Sequence, residues 1–275
     1  MASISTADIK RLREATGAGM TDCKNALVEA DGAYDKALEY LRIKGLKGVA
    51  KREGRAASNG LVIAKLDGTT KGTLLELNCE TDFVAKSPKF QELADRVVQA
   101  AFGSNDVTGL QDVDVDGKPL SEVLTDGGAM MGEKIEVRRV TTFEGGYVGV
   151  YLHKTNPDLP PQLGVLVELT ADSGTVAKDV AQHIAAFAPT YVSRAEVPED
   201  VVAKEREIAE ATAKEEGKPE AALSKIVEGR VNGFFKDSVL LEQAFAKDNK
   251  KTVAKVLEEA GVQLTGFARF KVGQA

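Results

Sequence analysis

The middle of the chain carries a diverged copy of itself, and no other feature narrows its possible folds as far. Gly60-Leu61-Val62-Ile63-Ala64-Lys65 matches Gly149-Val150-Tyr151-Leu152-His153-Lys154 in residue type at an offset of 89 residues. Leu75-Glu76-Leu77 and Val84-Ala85-Lys86 match Val167-Glu168-Leu169 and Val176-Ala177-Lys178 at an offset of 92. The three-residue drift is assigned to a longer, proline-bearing loop, Thr155 to Gln162. Each copy reads strand, loop, strand, short loop, helix. Ser87-Pro88 supplies a cap and a first-turn proline for the first helix, which should end near Phe102; its counterpart spans about Thr175 to Phe187. Short helices around 120–133 and a β-rich stretch, Ile135 to Phe143, join the copies. The expected fold class is α+β, with a core of two repeated α+β subdomains carrying antiparallel sheets and packed side by side. Their expected bounds are 59–142 for the first, and 143–198 with 237–275 for the second.

The flanking segments have a different grain. Residues 1–46 read as a three-helix module: Ile9 and Leu12 behind the capping candidates Ser5 and Thr6, a break at Gly17-Ala18-Gly19, and a second helix that Thr21 can cap. Leu38 and Leu41 mark the third helix. A basic linker is expected over 47–58, within a cationic stretch holding Lys44, Lys47, Lys51, Arg52 and Arg55 against Glu53 alone. Such a stretch reads either as a phosphate-contacting arm or as a solvated connector, and the lack of interleaved aromatic residues favours the connector. Residues 199–236 read as two polar helices joined at Gly217-Lys218-Pro219, each with one narrow apolar stripe. That pattern is an inserted antiparallel, coiled-coil hairpin projecting from the body. The tail returns through a helix capped by Thr252 and ended at Gly261, then a strand around Thr265 to Val272.

Charge and composition remove several function classes. Lys and Arg number 36 against 42 Asp and Glu, a net charge of −6, which argues against a surface built to coat nucleic acid or anionic membrane. Cys23 and Cys79 form no paired motif, so neither a disulfide framework nor a metal site is expected. The first residues contain no apolar signal-peptide core, and no apolar run approaches the ~18 residues a membrane span needs; a soluble, cytoplasmic chain is the expectation. Catalytic motifs are missing too: no phosphate-cradling glycine loop, no nucleophile elbow, no His-Glu-x-x-His. His183 reads as a packed or surface histidine, and Cys79 as a structural thiol with no base beside it in sequence. The chain is not expected to be an enzyme, and no cofactor is expected.

One loop stands out. Thr81-Asp82-Phe83-Val84-Ala85-Lys86 leads from the second strand of the first copy into its helix, whereas the equivalent Asp172-Ser173-Gly174-Thr175-Val176-Ala177-Lys178 has no aromatic residue. Only 10 Phe, 5 Tyr and no Trp occur in the 275 residues. Two fates are open for Phe83: folded back into the core, or exposed as a wedge for a partner's apolar pocket.

Arg11-Leu12-Arg13-Glu14, Thr16-Gly17-Ala18-Gly19-Met20, Asp22-Cys23-Lys24 and Cys79-Glu80-Thr81-Asp82-Phe83-Val84-Ala85-Lys86 resemble the two signatures of the elongation factor Ts family. Gly132-Glu133 with Arg138-Arg139-Val140 is similar to the segment joining that family's core subdomains. Gly217-Lys218-Pro219 and Val227-Glu228-Gly229-Arg230 resemble its hairpin, and Thr265-Gly266-Phe267 with Arg269-Phe270 its final strand. The resemblance implies a guanine-nucleotide exchange factor for elongation factor Tu, in its GDP-bound and nucleotide-free forms, acting in translation elongation. It implies an N-terminal module shaped like ubiquitin-associated domains that docks on the GTPase through Lys10, Arg13 and Met20. It places Asp82 and Phe83, flanked by Thr81, Val84 and Lys86, against helices beside the partner's magnesium and phosphate site. Met131, Gly132 and His153 are implied as further partner contacts. No direct nucleotide binding, no membrane and no nucleic acid partner are expected under this reading. Two departures bear on it: Thr21 stands where some members carry a second Met, and the chain stops at Ala275, without the C-terminal helical module of some members. The alternative is a ribosome- or RNA-associated protein using the basic 44–55 segment, which counterion release would reveal as a steep salt dependence.

Overall fold

Residues 4–16, 18–50 and 54–274 are described in the computed structural model of the chain. Gly17, expected to break the first helix from the second, and Lys51, Arg52 and Glu53 of the basic stretch lie outside the described residues. Three helices open the chain: α1 (Thr6–Thr16), α2 (Met20–Glu29) and α3 (Tyr34–Ala50). Ser5 caps α1, its hydroxyl accepting the Asp8 N–H at 3.1 Å while the Asp8 carboxylate accepts the Ser5 N–H at 3.3 Å. Gly19, not Thr21, stands at the cap of α2, which therefore has no side-chain cap. The three helices bury Leu12, Cys23, Ala26, Leu27, Ala37 and Leu41 among themselves. The third continues to Ala50, through residues expected to begin a linker. Its far half has something to lie on: a Cβ built at Gly45 would stand 2.9 Å from the Cβ of Ala129, in the core.

The core begins with β1 (Asn59–Asp67), β2 (Lys71–Cys79), α4 (Asp82–Lys86) and α5 (Pro88–Ala100). It continues through a two-residue hairpin, β3 (Asp114–Val115) and β4 (Lys118–Pro119), into α6 (Leu120–Met131) and β5 (Glu136–Glu144). A second series follows: β6 (Tyr147–His153), β7 (Leu163–Leu169) and α7 (Val176–Phe187). It then runs through the long helices α8 (Glu199–Glu215) and α9 (Glu220–Ser238), the hairpin β8 (Ala244–Phe245) and β9 (Asp248–Thr252), α10 (Val253–Glu259) and β10 (Leu264–Lys271). Both series make a three-stranded antiparallel sheet with the second strand in the centre, ordered β1-β2-β5 and β6-β7-β10. The duplication thus extends past the first helix of each copy, through a small hairpin and a second helix to a third strand.

The sheets do not lie side by side; they stack face to face. Val62 and Leu74 of the first meet Val148, Leu166 and Phe270 of the second in a shared layer. Helices α4, α5 and α6 cover the opposite face of the first sheet over Leu61, Leu75 and Leu77, and α7 and α10 cover that of the second over Val165, Val167 and Leu169. The centre strands are accordingly buried on both faces, which is why Leu74-Leu75 and Val165-Leu166-Val167 run on as apolar residues without alternation. Gly72 and Gly164 let the sheets meet: a Cβ on Gly72 would stand 2.9 Å from Val148, and one on Gly164 would stand 2.5 Å from Val62. These contacts are reciprocal across the repeat, because Val62 and Val148 are equivalent, as are Gly72 and Gly164.

That equivalence corrects the expected register of the first strands. Leu61 pairs with Leu77, and Tyr147 pairs with Leu169, so the true offset is 86 rather than 89. An odd slip of three residues would turn every side chain of the strand to its other face. The β6–β7 loop, 154–162, absorbs the whole difference from the short 68–70 turn.

The helical pair α8–α9 packs through Ala209, Val227, Val231 and Phe235. At its base, the Leu240 N–H donates to Tyr191 O at 2.9 Å, and the Thr190 N–H to Ser238 O at 2.8 Å. Among the described residues, no helix is long and apolar enough to cross a membrane.

Candidate functional site

The loop after β2 turns Phe83 outward. Phe83 is 80% exposed, more than any other large apolar residue among the described residues. A five-residue helix such as α4 has no stability of its own, so its surroundings must hold it. Thr81 caps it, its hydroxyl accepting the Val84 N–H at 3.4 Å. Ser87 ends it and starts α5, accepting the Phe90 N–H at 3.3 Å with Pro88 in the first turn. Ala85 anchors α4 in the core, while Val84 is partly buried against it. Between those anchors Phe83 has nowhere inward to go.

A second set of bonds ties this loop to the end of α6. The Glu133 carboxylate accepts the N–H groups of Glu80 and Thr81, each at 3.0 Å, and the Thr81 hydroxyl at 2.5 Å. The Glu80 carboxylate reaches the other way, accepting the Lys134 N–H at 2.7 Å and the Arg55 guanidinium at 3.1 Å. The Asn59 amide donates to Glu80 O at 2.8 Å. Gly132 makes the sharp exit from α6 that brings Glu133 round, with φ of +79°, a conformation that a side chain would strain.

Around the ring the charges are arranged locally. Lys86 donates to Asp82 at 2.9 Å, one helical turn apart, and its ammonium lies 5.9 Å from the Phe83 ring centre. That hydrogen bond holds the Asp82 carboxyl below the usual range. Behind the loop, burial and the nearby Glu133 push the Cys79 thiol up to about 12, so it stays a protonated, inert group donating to Thr81 O at 3.2 Å.

The sequence-derived residues do not all converge. Thr81, Asp82, Phe83, Val84 and Lys86 sit on the one loop, and Met131 and Gly132 immediately precede the glutamate that clasps it. Met131 is partly buried against the core, whereas Gly132 is exposed. Lys10 and Arg13 are exposed on α1, whose last turn is joined to the start of α5 where Lys89 donates to Glu14 O at 3.0 Å. Met20 is 43% exposed at the start of α2. His153 is exposed at the end of β6 and bonds through Nδ1 to the Tyr151 hydroxyl at 2.9 Å, on its own strand.

Of the basic stretch, Lys44 pairs with Asp22 at 2.7 Å and Arg55 with Glu80 at 3.1 Å. His183 is fully buried, stacked on Phe187 at 4.7 Å between ring centres and bonded to Gln243 at 2.8 Å. Among the described residues no group of three His, Cys, Asp or Glu side chains could hold a metal ion. Sequence reasoning missed Glu80 and Glu133 as structural partners. Both stand inside sequence motifs, but nothing in a linear pattern shows that of two acids 53 positions apart one takes the other's N–H while the other takes the Lys134 N–H next to the first.

A surface ring on a pinned turn is a feature suited to contact with a partner. The family model described as "Elongation factor TS" matches residues 80–274. The chain is 62% identical to elongation factor Ts of Acidothermus cellulolyticus over 276 residues, covering the whole of both chains. It is 60% identical to elongation factor Ts of Thermobifida fusca, again over the full length of both. Elongation factor Ts of Streptomyces coelicolor is 56% identical, covering 99% of this chain and all of the relative.

Proposed function

The chain belongs to the elongation factor Ts family, and on that premise we propose that it speeds GDP release from elongation factor Tu by pressing Phe83 between helices of its partner. The factor acts by binding, not by bond chemistry. It holds the nucleotide-free GTPase more tightly than the nucleotide-bound form, and linkage then weakens nucleotide binding by the same factor. The wedge gives that preference a physical form. Helices moved away from the phosphates loosen the magnesium shell, and with it the charge that neutralises the β-phosphate.

The observation that carries the reading is the 80% exposure of Phe83 on a loop fixed at both ends. Burying such a ring in a partner's apolar pocket contributes about 2 kcal/mol. Its anchors mean that little of this is lost in ordering the loop. Asp82 and Lys86 flank the wedge as polar contacts, and Thr81 and Val84 set its base. Gly132, with what Met131 leaves exposed, extends the contact along the end of α6. Lys10, Arg13 and Met20 supply a second contact from the N-terminal module, and His153 a third. We assign residues 1–46 to that module, 59–142 and 143–198 with 237–275 to the two halves of the core, and 199–236 to the hairpin. The RNA-binding alternative loses ground because Lys44 and Arg55 are already paired with carboxylates.

The test is release of fluorescent GDP from purified elongation factor Tu, with and without this chain. Phe83→Ala should slow catalysed release at least about tenfold, the equivalent of roughly 1.4 kcal/mol. Release at the wild-type rate by that variant would overturn the wedge.

A further inference from the structure

Resting on the exchange reading, we propose that Glu133 is a positioning residue, the group that holds Phe83 at the attitude in which it can wedge. In the sequence Glu133 is simply the residue after Gly132; its bonds give it a task. One carboxylate, reaching in from the far end of α6, takes both consecutive N–H groups of the turn before α4 and the hydroxyl of that helix's cap. Those two N–H groups belong to no strand or helix.

The arrangement is specific to the first half of the repeat. In the second half, Ser173 bonds locally to the Ala177 N–H at 3.1 Å, and the helix that follows is unbroken from Val176 to Phe187. Only in the first half is the corresponding helix cut at Ser87 into α4 and α5, leaving a five-residue piece to be held by a long-range acid. Glu133 also follows Gly132 directly, so the surface expected to touch the partner and the clasp that orients Phe83 are neighbours in the chain.

Rigid presentation matters because a wedge acts on its partner only if the contact, rather than the loop, resists displacement. With Glu133 gone, Phe83 would remain on the surface and still bury area on docking. The turn beneath it would yield, however, so the loss should fall on the maximal rate of exchange more than on the concentration of factor that half-saturates it.

The test is a double-mutant cycle read by GDP release from elongation factor Tu at saturating and sub-saturating factor. Glu133→Ala should lower the maximal rate at least about tenfold with less than about a threefold change in half-saturation. Glu133→Gln should restore most of the rate, since its amide oxygen still accepts both N–H groups and the Thr81 hydroxyl can turn to accept. In a Phe83→Ala background, Glu133→Ala should cost less than about a further twofold. A full tenfold loss in that background, or wild-type exchange by Glu133→Ala alone, would overturn the inference.

Glu133→Asp, shorter by one methylene, serves as the milder variant if the alanine variant does not fold, with the same pattern expected. Hydrogen exchange of the free factor gives a readout independent of the partner. The amides of Glu80, Thr81 and Val84 should lose protection while those of Leu75 and Leu77 keep theirs, and unchanged protection at the turn would count against the clasp. If the wild-type chain accelerates no GDP release while the exchange pattern behaves as described, the exchange reading fails and the clasp stands.

Discussion

His183 shows how one buried side chain can make the whole molecule sensitive to acid. Its Nδ1 accepts the Ala246 N–H at 3.1 Å, so Nε2 carries the proton and donates to Gln243. A protonated ring would turn Nδ1 into a second donor facing an N–H group. Burial therefore pushes the pKa below its ordinary value. The folded state keeps this histidine neutral where the unfolded chain protonates it, so below about pH 6.5 the unfolded state binds more protons. Stability should hold at neutral pH and decline as pH falls through that value, by at most about 1.4 kcal/mol per pH unit from this group. The decline continues until the folded pKa is reached. Urea titrations at pH 7.5 and pH 5.5 check this, and the difference should shrink in His183→Gln. The sequence placed His183 among packed or surface positions, and a helical setting of small apolar residues was the signal. Its partners Gln243 and Ala246 come from a distant loop, and no local pattern announces such a meeting.

At the scale of elements, the joint between α3 and α6 sets where the N-terminal module stands. Arg42 reaches Glu122 and Asp126 across it at 2.9 and 3.1 Å, and Lys118 shares both acids. Arg42, Lys118 and Glu122 are largely exposed and Asp126 is partly buried, and surface ion pairs of that kind contribute about 0–1 kcal/mol. The packing beneath them is less forgiving, because Gly45 comes against both Cβ and O of Ala129. Arg42→Ala should consequently leave the joint closed, whereas Gly45→Leu should pry it apart. Hydrogen exchange along α6 from Leu124 to Ala129 distinguishes the two, with deprotection expected only in the second variant.

Element boundaries were legible where a cap or a proline spoke for itself: Ser87-Pro88 opening α5, Thr252 opening α10, Gly217-Lys218-Pro219 turning the helical pair. They were not legible where another element decided. The third helix outran its expected end because α6 supports it, and the first strand was aligned three residues out because both strands offer similar apolar runs. Exposure of Phe83 sat between these cases. The contrast with its aromatic-free counterpart singled it out, but only the anchored neighbours Ala85 and Phe90 settle which way the ring points.

For the molecule as a whole, the buried layer between the two sheets is the part least tolerant of damage. Glu76 is fully buried on β2, with Arg139 of β5 bonded to it at 2.7 and 2.5 Å. Arg139 also donates to Lys271 O at 3.0 Å and lies 4.6 Å from the Phe270 ring centre, so one side chain stitches the first sheet to the second. Arg139→Met strands a carboxylate in the interior and should destabilise the protein by about 3–5 kcal/mol in urea unfolding. Replacing Glu76 with Leu in the same chain should recover most of that loss. The stacking itself was readable in hindsight from the unbroken apolar runs of β2 and β7, which need cover on both faces. The helical pair α8–α9 stands apart from all this, with its own narrow core and with Tyr191 and Leu240 hydrogen-bonded at its foot. Because the chain leaves the body and re-enters it at nearly the same point, the span between is a socket in the architectural sense. Evolution, or an engineer, can lengthen, shorten or exchange what is plugged in there without renegotiating the register of a single strand.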